Sequence, residues 1–168
     1  TYALKPSQAG NLQNADLVFW IGDRLETFLE KPIESIATKA RSVSLAESHG
    51  LNQIKFREGG AFDPHGHERD EHDEHGHDDH GHDDHVWLDP VNAKALVHEI
   101  EEALSDADPA NAGTYEANAT ALTGKLDALI AEVQTELNPV KNRGFIVFHD
   151  AYQHFETRLG MSAVGSIT

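Results

Sequence analysis

The chain has 168 residues, of which 29 are acidic and 13 basic, for a net charge of −16 with its 12 histidines neutral. That balance disfavours duplex nucleic acid and anionic membranes, which recruit basic patches, and no apolar run approaches the ~18 residues of a bilayer span. The lack of cysteine excludes disulfides, thiolate catalysis and Cys-type zinc sites, while leaving the redox compartment open.

The length suits one ordinary core. The chain opens at Thr1 with neither Met nor a signal-peptide pattern, so it is expected to be processed or cut from something longer. Pro6 and Ser7 begin a segment in which Ala9 and Leu12 suit one helix before Asp16. Leu17-Val18-Phe19-Trp20-Ile21, stopped by Gly22, predicts a strand buried on both faces. Leu25, Phe28 and Leu29 repeat at helical spacing, and Ile33 and Ile36 begin another turn after Pro32. Val43-Ser44-Leu45 is a second strand candidate; strand, helix and strand in this order predict a parallel α/β sheet.

Acidity then concentrates. Between Asp63 and Asp84 lie ten acidic residues and one basic, Arg69. Eight of the twelve histidines fall there or at its edge: His65, His67, His72, His75, His77, His80, His82 and His85. Residues 75–85 form a tandem repeat of period five, His-Gly-His-Asp-Asp. The segment lacks apolar side chains and cannot bury enough surface to offset its ordering entropy, so it reads as a mobile loop inserted into a folded protein. The Gly59-Gly60 pair reads as a turn.

Val86-Trp87-Leu88-Asp89-Pro90 follows. The helix expected after Pro90 carries Leu96, Ile100, Ala103 and Leu104 on one face, with Lys94, His98, Glu101 and Glu102 on the other. Asp108-Pro109 is a start signal, with Asp as N-cap and Pro at the first helical position. An apolar stripe from Ala112 through Leu122, Leu129 and Leu137 then runs to Asn138-Pro139. Some 28 residues at 1.5 Å rise make a rod of roughly 40 Å, the length of a strut between domains or a coiled-coil arm. Gly144-Phe145-Ile146-Val147-Phe148 is a third buried-strand pattern running into His149-Asp150. Tyr152, Phe155 and Leu159 suit a helix ended by Gly160, and Ala163-Val164 starts a fourth strand. The reading is α/β, in two partial lobes with parallel sheets: residues 1–107 (with the loop at 63–85) and 140–168, joined by one long helix over 108–139.

The loop histidines carry the first chemical signal. Imidazoles at i and i+2 with Gly between them can converge on one divalent ion, and imidazole suits Zn, Cu, Ni and Fe. Binding there weakens as pH falls toward the imidazole range near 6.5, because protons compete for the same lone pairs. A solvated acidic loop without a ligand fits the same composition. Closing so flexible a segment costs entropy, so moderate, multi-ion binding is expected there and a tight site on rigid elements elsewhere. Two histidines qualify by position. His149 ends a strand, where ligands of open α/β sheets collect, although a core or cap histidine occupies such a place equally well. His85 is followed at once by the apolar Val86-Trp87-Leu88. Asp150 can orient an imidazole or cap the next helix. His154, His49 and His98 read as surface residues. No His-Glu-x-x-His, Gly-x-Ser-x-Gly or phosphate-binding Gly loop is present.

Taken in order, Tyr2-Ala3-Leu4-Lys5-Pro6-Ser7, Ala15-Asp16-Leu17-Val18-Phe19-Trp20-Ile21-Gly22, the His-rich loop, His85-Val86-Trp87-Leu88-Asp89-Pro90, the long helix and Gly144-Phe145-Ile146-Val147-Phe148-His149-Asp150-Ala151-Tyr152 resemble a known family. It is that of the metal-binding receptors of ABC-type zinc and manganese importers. The charged loop before His-x-Trp-Leu resembles the zinc branch, the ZnuA-type periplasmic receptors. The resemblance implies two α/β lobes joined by the long helix, with one metal in the cleft between them. It implies Zn2+ as the ion and His85 and His149 as ligands from opposite lobes; the loop's composition and its place against His85 add His65, His67, His72, His75, His77, His80 and His82 as auxiliary ligands expected to collect zinc.

It further implies a periplasmic monomer that delivers zinc to an inner-membrane permease and meets a periplasmic metallochaperone, without catalysis. The family's further ligands, a His just before Thr1 and a carboxylate past Thr168, fall outside this chain, which the resemblance therefore marks as a central fragment. Competing readings are a manganese or broad divalent-metal receptor, a metal-dependent hydrolase with Asp150 as base, and a nickel or copper store relying on the loop alone.

Overall fold

The computed structural model describes residues 3–57 and 81–167. Helix α1 (Pro6–Gln13) precedes strand β1 (Leu17–Trp20), and α2 (Thr27–Ile36) carries the chain over to β2 (Arg41–Ser44). The two strands are parallel, Leu17 opposite Arg41 and Trp20 opposite Ser44, as a helical crossover requires. Pro32 lies inside α2, so the sequence expectation of a fresh turn after it becomes one continuous helix. Phe19, Ile21 and Val43 share a face and pack with Leu45, Val86, Leu96, Ala103, Leu51 and Ile100 into the main core.

The run at 17–20 is half-buried and not sealed on both faces. Trp20, Ser42 and Ser44 line a polar hollow on the opposite side together with Asp23, Glu30 and Glu47. Strand β2 also stops at Ser44, Leu45 turning into a short 3-10 segment (Leu45–Glu47).

The insertion stands on a stem. Lys55 and His82 form an antiparallel bridge, the Phe56 N–H donates to the Gly81 carbonyl (3.2 Å), and the Asp83 N–H donates to the Ile54 carbonyl (2.9 Å). The expected loop therefore ends earlier than Asp84. Gly81 to Asp84 belong to the folded body, with Asp83 and Asp84 both buried. The loop histidines His65, His67, His72, His75, His77 and His80, and the Gly59-Gly60 turn, lie outside the described residues.

A 3-10 turn (Val86–Leu88) leads into α3 (Pro90–Ala107). Asp89 caps that helix, accepting from the Val91 N–H at 2.8 Å, and Pro90 takes the first position, where no amide hydrogen is missed. The Asp108-Pro109 signal starts a 3-10 turn (Pro109–Asn111), and α4 (Ala112–Leu137) begins three residues later than expected. Asp108 accepts from Asn111 Nδ2 and the Tyr115 hydroxyl instead of capping the backbone. Those two bonds, in that order of strength, hold its carboxyl below the ordinary range, and Asp108 in turn raises the Tyr115 hydroxyl. Helix α4 is 26 residues, roughly 39 Å at 1.5 Å rise, and lies along α3.

Strands β3 (Phe145–Val147) and β4 (Ala163–Ser166) form a second parallel pair around α5 (Gln153–Leu159). Gly160 ends α5 in the left-handed region at φ 66°. The third apolar run is not a fully buried strand. Val147 is buried, while Ile146 and Phe148 are 66% and 71% exposed. In a strand alternate side chains point to opposite faces, and the face bearing Ile146 is uncovered among the described residues.

Candidate metal centre

His85 ends the stem and begins the turn Val86–Leu88; His149 directly follows the end of β3. The two sit 64 positions apart, yet their rings meet edge to face, with centroids 5.9 Å apart at 75°. Trp87 flanks His85 from another side at 5.4 Å. His85 is half-buried and His149 exposed, so one ring is held in the body of the protein while the other opens to solvent.

Asp83, two residues before His85, sets the orientation of that ring. Its Oδ1 accepts from the His85 backbone N–H at 3.0 Å and lies 2.6 Å from His85 Nδ1. With Nδ1 committed to a carboxylate, Nε2 is the nitrogen left to face a ligand. A zinc ion with nitrogen bonds of about 2.0–2.1 Å and tetrahedral angles holds two imidazole centroids about 5 Å apart. The observed spacing exceeds that by less than about 1 Å, within the reach of side-chain rotation. Among the described residues, no group of three or more His, Cys, Asp or Glu side chains is arranged to hold a metal ion, so these two imidazoles stand as a pair.

Asp150 sits beside His149 but does not cap α5, whose N-cap is Tyr152, and among the described residues it bonds no imidazole. Its carboxylate is taken by Arg57, which also binds Glu156 through Nη1 (2.8 Å) and Nη2 (2.9 Å). Burial works against the Arg57 charge, and the hydrogen bonds and charges of Glu156 and Asp150 outweigh it, so the guanidinium is held above its ordinary value. A second clamp joins Arg158 to both oxygens of Asp89 at 2.8 Å, raising Arg158 in the same sense against a smaller effect of burial.

His154, expected on the helix surface, is 1% exposed. Its Nε2 lies 2.7 Å from the Asp83 carbonyl and its Nδ1 3.4 Å from Asn92 Nδ2. His49 and His98 are exposed as expected, His98 standing 3.7 Å from Glu101 and 3.6 Å from Glu102. His82 occupies the stem bridge. Sequence reasoning missed Asp83, Arg57 and His154. A carboxylate two residues before a candidate ligand was the signal available for Asp83.

The profile of the family described as "Zinc-uptake complex component A periplasmic" matches residues 1–168. The chain belongs to that family. Within the zinc-uptake component A family, it is 47% identical over 189 aligned residues to the high-affinity zinc uptake system protein ZnuA of Brucella abortus, covering 99% of this chain and 57% of the relative. It is 30% identical over 168 residues to the iron-binding protein YfeA of Yersinia pestis, covering 97% of this chain and 47% of the relative. The chain thus spans about half the length of the curated relatives it matches. Its fold is similar to a crystallised zinc-bound ZnuA deletion mutant, with a TM-score of 0.78 over 100% of this chain and 56% of that one, at 24% identity. The α/β architecture with short parallel sheets and a long helix is the one this family shares.

Proposed function

We propose that this chain carries the ion-capture site of a periplasmic zinc receptor, in which His85 and His149 take one zinc ion as cargo for the permease of an ABC importer. The observation that carries this reading is the 5.9 Å meeting of the two rings, one from the turn that leads into α3 and the other from the segment that follows β3. Nitrogen donors suit zinc, and a four-coordinate ion is completed by further ligands or water. Residues 1–107 then act as one lobe, 108–139 as the linking helix and 140–168 as the start of the second lobe. The small excess over the zinc-bound spacing implies slight closure on loading. The receptor works in the periplasm as a monomer, passing the ion to the inner-membrane permease without catalysis.

The insertion collects zinc near the cleft through His65, His67, His72, His75, His77, His80 and His82. Removing it tests that role only if the cut ends at His80, because a deletion through Asp84 also takes away Asp83 and with it the orientation of His85. Loading at scarce zinc slows in the shorter deletion, while cleft affinity stays nearly unchanged. Loss of the tight site would contradict the division of labour.

Chelator competition on the intact receptor tests the site itself. His85→Ala and His149→Ala each lower zinc affinity by more than about 100-fold, exceeding the effect of removing a ligand's supporting partner; wild-type affinity in either variant refutes the reading. A broader divalent-metal receptor is the second reading, favoured by the likeness to an iron-binding relative. Iron and manganese competing with zinc at comparable concentration would select it. The Arg57 clamp speaks against a hydrolase, since Asp150, the nominated base, is engaged by a guanidinium.

A further inference from the structure

We propose that His154 is a positioning residue for metal binding, holding His85 at capture distance from His149 through Asp83. The inference rests on the proposed zinc site and adds to it a residue outside the ligand set. Asp83 works in two directions at once. Its carboxylate grips the Nδ1 and backbone N–H of His85, and its carbonyl accepts from His154 Nε2–H at 2.7 Å. Asp83 is 1% exposed, so neither contact is shared with bulk water.

The direction of the His154 bond follows from its neighbours. A carbonyl can only accept, so the proton sits on Nε2, and Nδ1 is left as the acceptor facing Asn92 Nδ2. Asn92 cannot turn its amide over without loss. Its Oδ1 accepts from the Asn52 N–H at 2.8 Å, and its Nδ2 donates to the Asn52 carbonyl at 3.0 Å. The fully buried asparagine thus fixes one tautomer of a fully buried histidine, which in turn fixes the backbone of Asp83.

The geometry ties one ligand to the other's support. His149 and His154 lie on the single short segment that leaves β3 and enters α5. The element that bears one candidate ligand therefore also braces the opposite one, so the 5.9 Å spacing is set inside the protein before any ion arrives. Preorganisation of this kind strengthens binding by removing the ordering cost from the binding step.

Zinc affinity, by chelator competition, and the visible ligand-field bands of the cobalt-loaded protein test this on the intact receptor. His154→Leu lowers zinc affinity by about 10–100-fold and shifts the cobalt bands, and His154→Gln, which keeps an N–H donor, recovers most of both. A folded His154→Leu protein with wild-type affinity and an unchanged cobalt spectrum overturns the proposal. Should that variant fail to fold, imidazole NMR on the unmutated receptor decides. The His154 Nε2–H signal moves when zinc is added, and a signal indifferent to saturating zinc overturns the proposal. The two levels separate cleanly. If His85→Ala and His149→Ala bind zinc normally, the site reading fails; if they do not and His154 proves indifferent, only this inference fails.

Discussion

Replacing Arg57 by Met in the intact protein removes the cation from a clamp that holds two carboxylates. Glu156 is 2% exposed and, among the described residues, is left with a single donor, the Ala163 N–H at 2.8 Å. Breaking a buried pair from one side costs roughly 3–5 kcal/mol, whereas an exposed pair is worth under about 1 kcal/mol. Arg57 and Asp150 keep partial access to water, at 18% and 22%, which places the loss near the lower end, about 3 kcal/mol. Urea unfolding followed by tryptophan fluorescence and linear extrapolation reads it directly, and the melting point falls on the order of 10 °C. Because the folded-state guanidinium is raised, its contribution is fully present below the ordinary arginine value and constant across the accessible pH range. Adding Glu156→Gln to Arg57→Met removes the stranded charge and recovers about half of the loss. A cost for Arg57→Met below 1 kcal/mol would mean that water already shares the clamp, and the argument from burial would be wrong.

Asp89→Ala deletes both the α3 cap and the partner of Arg158, for an expected loss of about 2–3 kcal/mol, while Asp89→Asn keeps the cap acceptor and loses about 1 kcal/mol; equal melting points for the two variants would exclude a capping role. Gly160→Ala meets no side chain closer than 3.9 Å, so its cost is the left-handed backbone alone, about 1 kcal/mol in urea unfolding, and a stabilised variant would contradict the helix end described. Tyr115→Phe removes one of the two side-chain bonds that depress Asp108, so its carboxyl titrates higher by NMR. A lowered folded-state value stabilises above the ordinary range and loses that effect as pH falls through it, so the acid limb of unfolding shifts slightly upward in the variant.

The helices and the strand positions were legible because they are local. Apolar spacing and caps such as Asp89 before Pro90 act over a few residues. Burial was less legible, since Ile146 and Phe148 read as core yet are exposed, and no pattern within the strand distinguishes the two faces. Position nominated His85 and His149 but left ordinary roles open to both; the family resemblance singled them out as ligands. Asp83 was hidden by the period-five repeat, in which every Asp-Asp pair looks alike. His154 and Arg57 were hidden by distance, their partners lying 71 and 62 positions away for the histidine and 93 and 99 for the arginine.

The stitching of residues 54–56 to 81–83 has an architectural consequence. Where two ends are pinned side by side, doubling the span between them adds only about 0.6 kcal/mol by chain statistics. The insertion is therefore a replaceable cassette. By that arithmetic a change in its length leaves the hydrogen bonds at its neck in place, and with them the backbone that leads into the imidazole at 85.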